Sequence, residues 1–306
     1  MASAVAFLLE LVPALLLGVL LARRWPELAA RLAPPLVRWG VPFSLMGLLL
    51  RSGLHWRYAE MLGLALAVVA GGLLLVHALP RRFPGPAERL GAVVGNTAYF
   101  GIPAALALLP PAAVGYAISY DLAATLFTWT LGPSLIARRR LAVRPLLAAL
   151  VASPASQGLA GAVLLQLTPW HGLLADWLWW PARLVVWLSL VVLGLRMAAV
   201  LGSPLPRSLW PCLLTKLLLF PAAVLALGLV LRLPALLLAP LVLQAAAPTA
   251  VSVLLLSEAA GVAARAEVRR PAALVLWSTL AALVTVPLWA WLLQWVTPAA
   301  GGAGAG

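Results

Sequence analysis

Three carboxylates, Glu10, Asp121 and Glu258, and one lysine, Lys216, stand within long apolar stretches of this sequence. An ionisable group at membrane depth is costly, and it is a functional candidate by default. Asp121 lies in "SYDLAATLF", about two turns into its apolar run. Two readings stand for it. Either its protonation changes with the state of the protein and couples protons to another event, or it is a structural acid bonded to Tyr120, Thr125 or another helix. Glu258 closes its run and reads as interfacial, with proton coupling as the other reading. Glu10, one turn into the first run, is open in the same way. Lys216, in "LLTKLLLFP", is read as snorkelling its ammonium to the inner membrane surface in preference to an ion pair.

Other chemistries fail on residue type or spacing. Intramembrane aspartyl proteolysis needs a second Asp at membrane depth, and Asp176, the only other one, falls in a tryptophan-rich loop. His55, His77 and His171 lie on different connections without ligand spacing, and Cys212 is the single cysteine. A metal site is therefore not expected, and neither is a disulfide within the chain. No serine occupies a glycine elbow and no phosphate-binding loop is present. An enzyme, a cofactor and an ATP-driven pump are not expected.

The remaining polar residues gather at two points. "GNTAYFGIP" (Gly95 to Pro103) holds Asn96, Thr97, Gly101 and Pro103, and "QAAAPTAVS" holds Gln244, Pro248, Thr249 and Ser252. Both lie within apolar runs. Proline lacks an N–H and clashes with the preceding turn, and glycine lowers helix propensity. Backbone groups freed there cannot face lipid, so they are buried in protein or line a cavity. Half-helices restarting after such breaks would present N–H groups and positive dipole ends to an anion. The other reading is that these prolines only kink their helices, as Pro13, Pro42, Pro133, Pro221 and Pro287 are expected to do. The matched pair favours breaks.

The elements that must position these residues follow from composition. Of 306 residues, 64% are hydrophobic and 9% charged, against roughly a quarter charged in soluble domains. Apolar runs of about twenty residues, enough to cross ~30 Å of hydrocarbon, recur throughout. The chain reads as an all-α polytopic membrane protein. Ten transmembrane helices are expected at 4–22, 36–52, 58–79, 89–109, 113–137, 145–167, 178–200, 208–231, 235–258 and 270–296, followed by a disordered tail at 298–306. The first run has no preceding positive charge and is followed by Arg23 and Arg24, which favours a retained span over a signal peptide.

Sixteen of the 21 Lys and Arg residues fall in the odd-numbered connections, among them Arg138, Arg139 and Arg140, and four in the even ones. Excess basic residues mark the cytoplasmic side. The reading is an inner (plasma) membrane protein with both termini outside. The net charge of +13 is then topology and contact with anionic lipid, not a nucleic-acid surface. "TPWHGLLADWLWWP" reads as a tryptophan belt at the outer interface.

The halves of the chain resemble each other. Pro13 faces Pro154, "LMGLLLR" faces "VVLGLRM", and Pro103 faces Pro248, at offsets of 141, 147 and 145 residues. Five spans per half make the second half enter from the opposite side. Residues 1–141 and 142–297 are thus expected to be inverted five-helix repeats, with the broken fourth and ninth helices at matching positions near the midplane. That arrangement marks secondary transporters.

At the breaks the sequence resembles the auxin efflux carrier family, in its branch of PIN-like carriers and bacterial permeases. "GNTAYFGIPAA" is similar to that family's fourth-span motif, "AAAPTAVSVLLLSEAAG" to its ninth and "WSTLAALVTVPLW" to its tenth. The resemblance implies ten spans in two inverted bundles, a homodimer, and a small organic anion as substrate. It puts Asn96, Pro103 and Pro248 on the crossover. No Asn stands at the second crossover, where Thr249 or Ser252 is the available substitute, and the long central loop of many plant members is absent. The expected function is transport of a small organic anion by alternating access. A sodium-coupled bile-acid-type symporter is one rival; it should show acidic sodium ligands beside both breaks. A non-transporting membrane receptor or sensor is the other; it should carry a soluble signalling domain.

Overall fold

The computed structural model describes residues 2–53, 56–137, 143–198, 201–202, 204–260 and 265–297. The tail at 298–306, the Arg138–Arg140 cluster and His55 lie outside the described residues. The helices are α1 (Ala2–Arg24), α2 (Leu28–Pro35), α3 (Val41–Ser52), α4 (Arg57–Ala78), α5 (Pro86–Gly91), α6 (Ile102–Leu108), α7 (Pro111–Ile136), α8 (Val143–Ala152), α9 (Pro154–Gln166) and α10 (His171–Ala198), then α11 (Trp210–Leu214), α12 (Phe220–Val230), α13 (Ala235–Ala245), α14 (Val251–Ala259) and α15 (Arg265–Val296). Among the described residues there is no strand, only one isolated antiparallel bridge between Gly95 and Thr249.

The chain is an all-α multi-pass membrane protein. Among the described residues, six helical stretches are long and apolar enough to cross a bilayer: Val5–Arg24, Leu28–Ser52, Arg57–Ala78, His171–Ala198, Arg207–Val230 and Arg270–Val296. The pair α8 and α9, bent by 57°, adds a seventh if it is one span. α7 is long enough at 26 residues, but Ser119, Tyr120, Asp121, Thr125 and Thr128 lower its hydropathy. Those of them that are fully buried turn towards protein. The expected fourth and ninth spans are each split into two short helices.

Two boundaries move. The second span starts at Leu28, not residue 36, because α2 carries Arg31 and a proline pair into the helix. The seventh starts at His171, not residue 178. Most of the expected tryptophan loop is therefore the first turns of α10, where Trp177 and Trp180 are exposed and Asp176 pairs with Arg51 of α3.

Three π-helical turns, Leu36–Gly40, Thr97–Gly101 and Thr215–Leu219, each end two residues before a proline: Pro42, Pro103 and Pro221. Proline removes one N–H and pushes away the carbonyl four residues earlier. The helix takes up the strain by widening for one turn. Pro103 thus belongs with Pro42 and Pro221, inside a distorted helix.

The helices pack as two groups. α1, α2, α3, α9 and α10 pack on one another, and α4, α5 and α7 pack with α11 to α15; α6 and α8 touch both groups, α6 through α1 and α7, and α8 through α9 and α7. Each group draws on both halves of the sequence. In the first, Gly18 of α1 and Gly194 of α10 face each other, and a Cβ on either would overlap the opposite backbone. Small residues allow such close approach where no water drives helices together. Between the groups, Phe7 of α1 meets Phe100 edge-on at 5.6 Å.

Candidate functional site

Both interrupted spans are built to one pattern. α5 ends at Gly91 and α13 at Ala245; an extended residue follows at Gly95 and at Thr249; helix resumes at Thr97 and at Val251. Every corresponding pair is 154 residues apart, so the breaks are Ala92–Asn96 and Ala246–Ala250. The first lies earlier than the Gly95–Pro103 expected from composition, and Pro103 pairs with no part of the second break. The alignment of Pro103 with Pro248 is off register because a kinking proline was matched with a proline in extended chain.

The breaks lie side by side and satisfy each other. The Asn96 N–H donates to Pro248 O at 2.6 Å, and the Ala250 N–H donates to Val94 O at 3.1 Å. This two-bond antiparallel exchange satisfies backbone groups that helix interruption leaves open. Thr249 is absorbed into the same scaffold. Its hydroxyl donates to Gly91 O at 2.8 Å, and its N–H donates to Ser278 Oγ at 3.0 Å. Gln244 donates to Ala117 O of α7 at 3.0 Å, and a Cβ at Gly101 would overlap its Oε1. Gly101 is small because Gln244 fills the space beside it.

A cavity of about 90 Å³ lies where the two helix groups meet. Asn96, Thr97 and Ala98 line it at one helix restart, and Ala250, Val251 and Ser252 at the other. α7 contributes Asp121, Thr125 and Thr128, and α10 contributes Ser189 and Arg196. Two first helical turns thus border one space, with their positive dipole ends.

Asn96 Nδ2 and Arg196 Nε, like the Tyr99 hydroxyl, are buried here without a partner. A buried polar atom left unpaired costs about 1–3 kcal/mol. The two nitrogens are donors, and both belong to residues that line the cavity. The space is complementary to an acceptor-rich solute. Arg196 Nη1 donates to Glu258, at 3.2 Å from Oε1 and 3.4 Å from Oε2. That ion pair joins α10 of one group to α14 of the other.

Asp121 is buried at the same wall. Thr97 Oγ1 donates to its Oδ1 at 2.6 Å and Thr125 Oγ1 at 3.4 Å. Thr97 comes from the first helix restart, so α7 packs beside the crossing point and the acid is tied to it. Glu10 is elsewhere. It pairs with Arg183 at 3.3 Å and lines a second cavity of about 280 Å³ with Pro103, Leu106 and Trp180. The two cavities lie towards opposite ends of the helices.

The structure therefore brings Asn96, Thr97, Ser252 and Asp121 together, with Glu258 at the rim. Pro248, Thr249, Gln244 and Gly101 build the crossing point, and Pro103 and Glu10 belong to the second cavity. Lys216 departs from its expected position. It does not snorkel: it is fully buried, and its partners are backbone carbonyls. A π-helical turn and close packing with α15 keep it inside.

Arg196 is the residue that sequence reasoning missed. In the sequence it is one of the basic residues of the odd-numbered connections, at the end of the seventh expected span. Nothing local distinguishes it from Arg51, which caps the second. Among the described residues, no three His, Cys, Asp or Glu side chains come together as metal ligands do. No protein-family model matches this chain, and no curated protein matches it.

Proposed function

We propose that the chain is a ten-span secondary carrier of the auxin efflux carrier type, moving a small organic anion by alternating access at the crossing of its two broken helices. One observation carries the reading: two unpartnered donors, Asn96 Nδ2 and Arg196 Nε, and two helix restarts border the same small cavity. Anions are favoured at helix N-termini, and a guanidinium matches a carboxylate in shape and charge. The matched breaks fit inverted repeats of residues 1–141 and 142–297, interleaved so that each repeat contributes to both packing groups.

Two cavities at opposite ends of one interface suit alternating access. With the arginine-rich connections inside and both termini outside, the cavity at Asn96 faces the cytoplasm and the one at Glu10 faces out. Asp121 stands at the anion's edge as the proton-coupling candidate. An ionised carboxylate would repel the substrate, whereas a neutral one would accept it. A homodimer in the inner membrane completes the reading, with no nucleic acid and no cofactor.

The test is a thermal-shift screen of the purified protein against small carboxylates and other organic anions, with and without sodium and at two pH values. A ligand that binds only the folded state raises stability by RT ln(1 + [L]/Kd). Small mono- or dicarboxylates are expected to shift the melting temperature. If neutral analogues shift it equally and no anion does better, the anion reading fails.

A further inference from the structure

Lys216 is the one lysine of the chain, and it has no solvent exposure. Its Nζ donates to Val93 O at 3.0 Å and to Ala245 O at 2.7 Å. Val93 lies in the first break, just past the end of α5, and Ala245 is the last residue of α13. One ammonium therefore ties together the C-terminal ends of the two half-helices that precede the breaks.

Those ends need a cation. The last carbonyls of a helix have no partner within it, and they carry the negative end of the helix dipole. Here two such ends converge in the protein interior, away from water. In carriers with broken helices, unwound carbonyls and half-helix C-termini are the groups that bind the coupling cation. Lys216 meets that need from a neighbouring helix. The Phe220 ring, centred 5.2 Å from Nζ, adds a cation–π contact. Gly95 leaves the necessary room, since a Cβ there would lie 3.1 Å from Nζ and 3.3 Å from Ala247. Lys216 sits in the π-helical turn before Pro221, and the proline that distorts this helix thus helps set the direction of the ammonium.

We infer that Lys216 is a built-in cation of the crossing point. Its ammonium holds the place between the two helix breaks that a free coupling cation would otherwise occupy, and the chain binds no sodium ion there. Asn96 and Arg196 serve the anion on the side of the helix restarts, and Lys216 serves the preceding helix ends.

The test uses the purified full-length chain and reads thermal stability, which needs no substrate. A failure here therefore leaves the anion-carrier reading standing. Wild-type protein should melt at the same temperature in sodium, potassium and choline chloride of equal ionic strength. Lys216→Gln keeps a neutral donor of similar reach and should melt several degrees lower; Lys216→Arg keeps the charge and should lose less. Lys216→Ala leaves a space the length of a propylammonium ion. Propylammonium chloride should raise the melting temperature of that variant and leave wild type unchanged. Specific stabilisation of wild type by sodium would overturn the inference. So would a Lys216→Gln protein as stable as wild type, because a neutral donor would then suffice. If Lys216→Ala does not fold, the salt series and the Gln and Arg variants still decide.

Discussion

Asn96 is the residue on which the anion reading rests most directly. Its backbone is fixed at the crossing point by the bond to Pro248, while its side-chain nitrogen is buried without a partner. Asn96→Ala should therefore weaken anion binding by about 1.5–3 kcal/mol, the range for a bond to a charged group, and leave the fold intact. Titration of the variant by thermal shift against the best anion from the screen measures this; unchanged affinity removes Asn96 from the site. Asp121 makes a separate claim. It is held by Thr97 and Thr125, so Asp121→Asn preserves shape while fixing a neutral side chain. In proteoliposomes the variant should still exchange substrate but lose accumulation driven by a pH gradient. Full pH-driven accumulation in Asp121→Asn would make the acid structural. That Asn96 stands at a helix break was readable from the sequence, because Gly and Pro beside a polar residue in an apolar run mark one. That Arg196 lines the same cavity was not, because α10 meets α7 and the two helix restarts only in the folded chain.

At the scale of elements, the half-helices depend on small residues at fixed points. Gly101 opens the π-turn-to-α6 step against Gln244 of α13. The atoms a Cβ would meet are the end of one flexible side chain, so the clash can be relieved by shortening it. Gly101→Ala should lower the melting temperature, and Gln244→Ala should lower it too, by loss of the bond to Ala117. The double variant should melt higher than the sum of the two losses implies, since neighbours in contact couple. For a chain of this size each kcal/mol is worth about 2–4 °C. Strict additivity in the double-mutant cycle would mean that the two residues do not meet. The sequence showed that two spans were interrupted. It misplaced the first interruption because proline marks both extended breaks and π-distorted helix, and only hydrogen-bond partners tell these apart.

The whole molecule carries two claims, its orientation and its division into two packing groups. Orientation is testable with single cysteines in a Cys212→Ser background. Leu167 is 80% exposed at the sixth connection and Leu201 is 49% exposed at the seventh. The distribution of arginines predicts that Leu167→Cys is labelled in intact cells by an impermeant reagent and Leu201→Cys only after the cells are opened. The reverse pattern would invert the topology and turn the Asn96 cavity outward. The division into groups bears on movement. The Arg196–Glu258 pair bridges the groups at the rim of the cavity, so on the proposed reading a carboxylate bound to the arginine would compete with the bridge.

The sequence by itself determined that this is a helical membrane protein, that two of its apolar runs are interrupted, and that Asn96, Thr97 and Asp121 are candidates. Composition and local backbone chemistry decide those features, and both are written along the chain. Tertiary structure alone decided that the breaks lie antiparallel and exchange hydrogen bonds, that Arg196 closes the cavity, and that Lys216 points inward to two helix ends. Each of these joins residues from distant parts of the chain, some more than 150 positions apart. Their geometry is set by packing across the two groups, for which no local pattern of residue types stands in.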